Sequence, residues 1–235
     1  MTPVSCGTCT VHTLGLPVTT AIPAEKGTLP KQMFYAKRSI STKLKQRFTR
    51  DLDSAVMLAL LRSANTGIAD GERVKEILII GLELTCQEVP SEVVDYIAQM
   101  RSSGIIFVCH RKADEEGKEY ALATRRALPV KPGYLPQFRV YIGPWRTLEQ
   151  TKLVLKGENL DEVWDNFNAQ VIFDSTDGRD LDAQIARHAE IVGLVAEETK
   201  LSKDHARTKD PAQRNEIYTR LHKIRTRLRQ MGALD

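Results

Sequence analysis

Glu83 falls in an apolar, largely β-branched run that reads as a buried strand, and Asp95 falls in the next stretch of helical spacing. Two carboxylates converging on a divalent cation, with a lysine to handle the attacking water, would make a metal-dependent nuclease of the PD-(D/E)xK kind. Position 85, where that lysine is expected, holds threonine. No catalytic residue is therefore assigned, and the nuclease is kept as an alternative reading. Cys6-Gly7-Thr8-Cys9, followed by His12, has the spacing of half a zinc site. No second such pair follows, so the reading assigns no metal and no cofactor. Trp145, Trp164, Tyr134 and Tyr141 lie near Arg125, Arg126 and Arg146. Such a mixture can stack bases, but aromatics in and after strands mostly pack. The chain has no phosphate-cradling G-x-x-x-x-G-K-[ST] or G-x-G-x-x-G loop, no G-x-S-x-G elbow and no H-E-x-x-H.

The elements that must position these residues follow from hydrophobic period and breakers. Residues 1–33, with Pro3, Pro17, Pro23 and Pro30, read as an extended arm carrying incidental cysteines. A capped helix is expected from Ser39, with Leu44, Phe48, Leu52, Val56 and Leu60 on one face. Residues 74–84 read as a central strand, Pro90-Ser91-Glu92 opens a helix, and 105–109 form the next strand. A polar turn at 115–118 should return the chain antiparallel through 120–124. An irregular loop at 128–136 precedes a strand at 138–142, and 147–173 reads as a helix-turn-helix-like stretch. Beyond residue 179, Leu181, Ile185, His188, Val192 and Val195 make one heptad seam, and Ile217, Leu221, Ile224, Leu228 and Met231 make a second.

Charge is unevenly spread along the 235 residues. The net formal charge is +4, but from Lys200 onward ten cations face four anions, about +6, which leaves the preceding 199 residues near −2. A basic end of this kind is the footprint of a nucleic-acid or acidic partner. Apolar runs such as 77–82 and 105–109 are far too short to cross a bilayer. With no signal-like start and four unevenly spaced cysteines, the chain reads as cytoplasmic, without structural disulfides.

The order of these segments resembles the bacterial family catalogued as domain of unknown function 4391. The resemblance rests on Leu29-Pro30-Lys31 with Phe34-Tyr35, on the helix at 44–52, and on the strand-helix-strand unit from Glu76-Ile77 to Phe107. Trp145 after the last strand and a closing helix with Arg214-Asn215-Glu216, Leu221 and Leu228 complete it. It spans about residues 20–232 and leaves Cys6 and Cys9 outside. It implies no particular reaction. It implies the company of helicases and DNA methyltransferases of restriction or phage-defence loci, and hence an accessory role there. Members of the family often carry lysine two residues after the acidic residue of the central strand, where this chain has Thr85.

The expected fold is α+β: a mixed or antiparallel sheet of four or more strands with packed helices, followed by a C-terminal helical hairpin or coiled coil. The division expected is an arm at 1–33, a core at 34–173 and a basic hairpin at 179–235. The expected function is a non-catalytic accessory or binding subunit of a DNA-processing system. Its partners would be DNA, through phosphate contacts of Lys223, Arg225, Arg227 and Arg229, and a helicase or DNA methyltransferase subunit. Ile217, Leu221, Ile224 and Leu228 would form the seam for a partner or a homodimer, and a structural dimerisation module is a further alternative.

Overall fold

The computed structural model describes residues 3–35, 40–128 and 133–234. The chain divides into two compact units, residues 1–179 and 180–235. The first is built on a five-stranded mixed sheet with strand order β1-β2-β3-β4-β5: β1 Leu52–Leu61, β2 Ile77–Leu84, β3 Gly104–His110, β4 Tyr120–Leu128 and β5 Gln137–Ile142. β2 and β3 run parallel and every other neighbouring pair runs antiparallel. Parallel neighbours need a crossover, which is supplied by helix α5, Ser91–Ala98. Single helical turns α1 Ala24–Gly27, α2 Gln32–Tyr35 and α4 Ser63–Thr66 flank β1, and α3 Thr42–Arg50 precedes it.

Side chains alternate across the sheet, so each face has its own core. On one face Ile77, Ile79, Ile106, Val108 and Tyr120 pack under the N-terminal segment and helix α6, Leu160–Phe173. On the other, Leu78, Ile80, Leu82, Phe107 and Cys109 pack under α3 and α5. The N-terminal residues are therefore not a detached arm. Val4, Cys6, Cys9, Val11, Leu14 and Leu16 are buried core, because turns at residues 7–8 and 11–15 lay the apolar side chains of this segment onto the sheet. The backbone of residues 21–29 also bonds to β1, through Ile22 N–H to Leu58 O (3.2 Å) and Leu29 N–H to Ala55 O (2.9 Å).

The helix expected across Phe48 and Leu60 stops at Arg50, and Leu52–Leu61 is a strand. Leu44, Phe48, Leu52, Val56 and Leu60 are four apart, and a spacing of four is in phase with a strand of period two as well as with a helical turn. Ser41 caps α3 by accepting from Leu44 N–H at 3.2 Å, whereas Ser39 lies outside the described residues, as does part of the expected loop at 128–136. Between 147 and 173 only α6 is a full helix; Leu148–Gln150 is one 3-10 turn and 151–158 has no regular structure. The buried Leu153 is held there by its N–H bond to Leu14 O at 2.9 Å.

The second unit consists of α7 Leu181–Arg207 and α8 Pro211–Gln230. Asp210 caps α8 from Ala212 and Gln213 N–H, with Pro211 in the first turn. The two helices pack through Ile191, Leu194 and Leu201 against Ile217, Leu221, Ile224 and Leu228. Their polar contacts run in opposite directions along the two helices: Arg187 Nη2 to Met231 O (2.7 Å), Arg227 to Glu190 (2.9 Å) and Arg225 to Glu198 (2.6 Å). The α8 seam is the one expected, but the α7 seam is displaced. Of the expected α7 seam, Leu181 and Ile185 are buried, but Val192 and Val195 are exposed, and residues 191, 194, 198 and 201 face α8 instead. Among the described residues, no helix is long and apolar enough to cross a membrane.

Candidate functional site

At one end of the sheet, on the face beneath the N-terminal segment, the register sets Glu83, His110 and Tyr120 side by side on β2, β3 and β4. Glu83 Oε2 lies 2.5 Å from His110 Nδ1, and Glu119 Oε2 lies 3.4 Å from His110 Nε2. Tyr120 stacks on the imidazole with ring centroids 4.7 Å apart. Over this row sits the Cys6-Gly7-Thr8-Cys9 turn, closed by mutual backbone hydrogen bonds of Cys6 and Cys9 at 2.9 Å. Gly7 N–H donates to Glu83 Oε1, and Thr8 N–H donates to the Tyr120 hydroxyl at 3.0 Å. Gly7 has φ +55, and a Cβ there would stand 2.7 Å from both His110 Cε1 and Tyr120 Oη, so the turn approaches this closely only with glycine.

This geometry gives Glu83 a positioning task. Asp95, its expected companion, lies on α5 across the sheet, held by Arg125 Nε at 2.7 Å. The two carboxylates thus stand on opposite faces. Thr85 is also engaged: its hydroxyl donates to Arg50 O and its N–H to Asp51 O, tying the end of β2 to the start of β1. Among the described residues, no group of three or more His, Cys, Asp or Glu is placed to hold a metal ion.

Cys6 and Cys9 are fully buried. Cys6 Sγ donates to Val108 O at 3.7 Å, and Cys9 Sγ accepts from the Thr13 hydroxyl at 3.8 Å. Burial, with the Glu83 charge adding to it, pushes the Cys6 thiol far up; burial lifts Cys9 to about 11. Burial likewise raises Cys109, and it raises the half-buried Cys86. Since the thiolate is the reactive form, an aromatic disulfide reagent at about pH 8 is expected to label Cys86 slowly in the native protein. Cys6, Cys9 and Cys109 should react only after denaturant is added. Early labelling of Cys6 or Cys9, located by peptide mapping, would contradict this placement.

A second concavity lies between β4, the 143–154 segment and the end of α6. It is a cleft of about 140 Å³ lined by Tyr120, Leu122, Arg146, Lys152, Gln170 and Asp174 among others, small beside the roughly 300–1,000 Å³ of most ligand pockets. Its polar groups are largely engaged. Arg146 Nη1 bonds Asp174 at 2.8 Å, holding that carboxyl below its ordinary range. Gln170 binds both backbone groups of Val154. The tryptophans pack: Trp145 is half-buried under the Arg111 guanidinium at 4.1 Å, and Trp164 lies against Gly104. Tyr134 is exposed.

The four cations singled out for phosphate contact all lie on α8 but do not share a face. Residues two apart on a helix are about 200° apart, so Lys223 and Arg227 lie on one flank of the buried seam and Arg225 and Arg229 on the other. Arg225 and Arg227 are bound to Glu198 and Glu190. Lys223 and Arg229 are exposed and carry no ion pair among the described residues, and the same holds for Lys200, Lys203, Arg207 and Lys209. Sequence reasoning missed the Glu83–His110–Glu119 row. Its signal was an ionisable residue closing each of two neighbouring apolar strands.

No curated protein and no solved structure matches the chain. The model of one family, described as a domain of unknown function (DUF4391), matches residues 14–228. With all five strands and the helices α3 to α7 inside that span, the chain belongs to the DUF4391 family.

Proposed function

We propose that this chain is a non-catalytic accessory subunit of a bacterial DNA-processing system of the restriction or phage-defence type. It works in the cytoplasm, and α7 and α8 form a basic helical hairpin that holds nucleic-acid phosphates. The sheet unit docks the larger partner, the helicase or DNA methyltransferase that the family resemblance implies. The observation that carries the reading is the surplus of exposed cations without ion pairs, among the described residues, on the two helices and the link between them: Lys200, Lys203, Arg207, Lys209, Lys223 and Arg229. Cations so placed displace counterions without reading sequence. The separation of Glu83 from Asp95 favours binding over cleavage.

The test is a salt-titrated binding assay with duplex and single-stranded DNA, with and without Mg²⁺, with the products run on a gel. Affinity is expected to fall with salt, with a log–log slope of about −0.9 per phosphate neutralised on duplex. Charge reversal of Lys223 and Arg229 together should weaken binding roughly tenfold or more at about 0.1 M salt. Equal affinity of the reversed protein would remove the phosphate-binding role. Mg²⁺-dependent cleavage lost on Glu83→Ala would replace the whole reading with the nuclease.

A further inference from the structure

One flank of α8 interleaves cations with aromatic rings. Arg214, Tyr218, His222, Arg225 and Arg229 follow one another at steps of four, four, three and four residues, which puts all five within about 80° of arc. Arg214, Tyr218, His222 and Arg229 are exposed there, Tyr218 by 57%. The one acid of α8, Glu216, stands about 160° away from Tyr218. On the α7 side this flank is bordered by Glu198, Ser202 and His205. Arg225 binds Glu198 at 2.6 Å and Ser202 at 3.2 Å, and Arg214 Nε donates to His205 Nε2 at 3.4 Å. The other edge of the helix pair is different: there Arg220 and Arg227 are matched by Glu197 and Glu190 at 3.2 and 2.9 Å. Matched charges of that sort make a solvated edge, whereas the Tyr218 flank carries charge of one sign in excess. His205 approaches the Tyr218 ring with centroids 6.2 Å apart and planes tilted by 43°, which leaves the ring open to a flat ligand.

We infer that this flank takes single-stranded nucleic acid, with a base stacked on Tyr218 and the neighbouring phosphates on Arg214 and Arg229. The inference rests on the phosphate-binding reading of the hairpin and adds the form of nucleic acid that the site accommodates. An exposed ring between cations gives a base a surface to stack on and its backbone a charge to meet, without selecting a sequence. In a duplex the bases are already stacked on one another, so a duplex reaches only the cations of this flank. A lipid surface is disfavoured because the apolar stripe of α8 at Leu221, Ile224 and Leu228 is buried against α7, which leaves no apolar face to enter a bilayer.

The full chain is titrated at about 0.1 M salt with a single-stranded oligodeoxynucleotide, with a strand of the same length made wholly of abasic sites, and with the matching duplex. Tyr218→Ala, which removes an exposed ring and leaves the buried seam intact, should weaken the single strand roughly fivefold or more and leave the abasic strand and the duplex unchanged. Tyr218→Phe keeps the ring and should bind as the wild type does. Arg214→Glu should weaken all three ligands, since its phosphate contact needs no base. Photo-cross-linking of a strand carrying iododeoxyuridine should label the peptide that contains Tyr218. A Tyr218→Ala protein with wild-type affinity for the single strand, or with an equal loss on the abasic strand, would overturn the stacking inference and leave phosphate binding standing. Failure of all three ligands to bind would remove the phosphate-binding reading and this inference with it. Poly-glutamate competing as well as the single strand would assign the flank to an acidic protein and overturn the inference.

Discussion

Replacing Asp161 by alanine is expected to destabilise the sheet unit by about 1–2 kcal/mol, because one part-buried and two exposed backbone donors lose their shared acceptor together. Asp161 sits in the first turn of α6 and accepts from Glu72 N–H (2.8 Å), Arg73 N–H (3.2 Å) and Val74 N–H (2.8 Å). It thereby fastens the approach to β2 onto the helix. The approach is so close that a Cβ on Gly71 would lie 2.4 Å from Asp161 Oδ1. Burial works to raise the Asp161 carboxyl, but the donated N–H groups and the Arg73 charge outweigh it, and the group is held below the ordinary aspartate range. A folded value below the unfolded one means that this stabilisation is fully present above about pH 4, the unfolded value, and is lost as pH falls through the folded value. Urea unfolding of the wild type should therefore show a loss of stability with acid that Asp161→Ala lacks. A variant as stable as the wild type, or with the same acid slope, would contradict this role.

Glu83→Ala is expected to cost about 2 kcal/mol and to release the N-terminal segment selectively. The change removes the acceptor of Gly7 N–H and the partner of His110 Nδ1 in one step. Hydrogen exchange within residues 3–16 should speed up by roughly tenfold or more, as for a local opening, while amides of β3 keep their protection. Glu83→Gln, which retains an acceptor for Gly7, should lie between the two. A carboxylate kept free for a cation predicts the reverse, since its removal relieves a desolvated charge. Unchanged or raised stability, with no change at the N-terminus, would thus sink the positioning role.

Much of the sheet unit was legible because it is written in local patterns. The β-branched run at 77–80, the Pro90-Ser91-Glu92 opening, the apolar strand at 105–109 and the polar turn at 115–118 each have one dominant solution, and together they yield the strand-helix-strand unit and its antiparallel return. The stretch after Phe48 has two solutions, since a spacing of four suits helix and strand alike. The choice of strand is made by pairing Leu52–Leu61 with β2, a contact some twenty residues away in sequence. The N-terminal segment misleads for a related reason: prolines exclude regular structure, but they do not exclude burial.

The two helical seams part company for a physical reason. By itself the sequence determined that α7 and α8 are long, heptad-patterned helices, that the basic surplus sits on them, and that Ile217, Leu221, Ile224 and Leu228 form one buried stripe. Which stripe of α7 meets α8 is decided only in three dimensions. α7 offers two, at Ile191, Leu194 and Leu201 and at His188, Val192 and Val195, and the first brings Glu190 and Glu198 onto Arg227 and Arg225. In the same way the chain names Glu83, His110 and Tyr120 separately. Only strand register, with side chains alternating every residue, sets them in one row beneath the Gly7 turn and sends Asp95 to the other face.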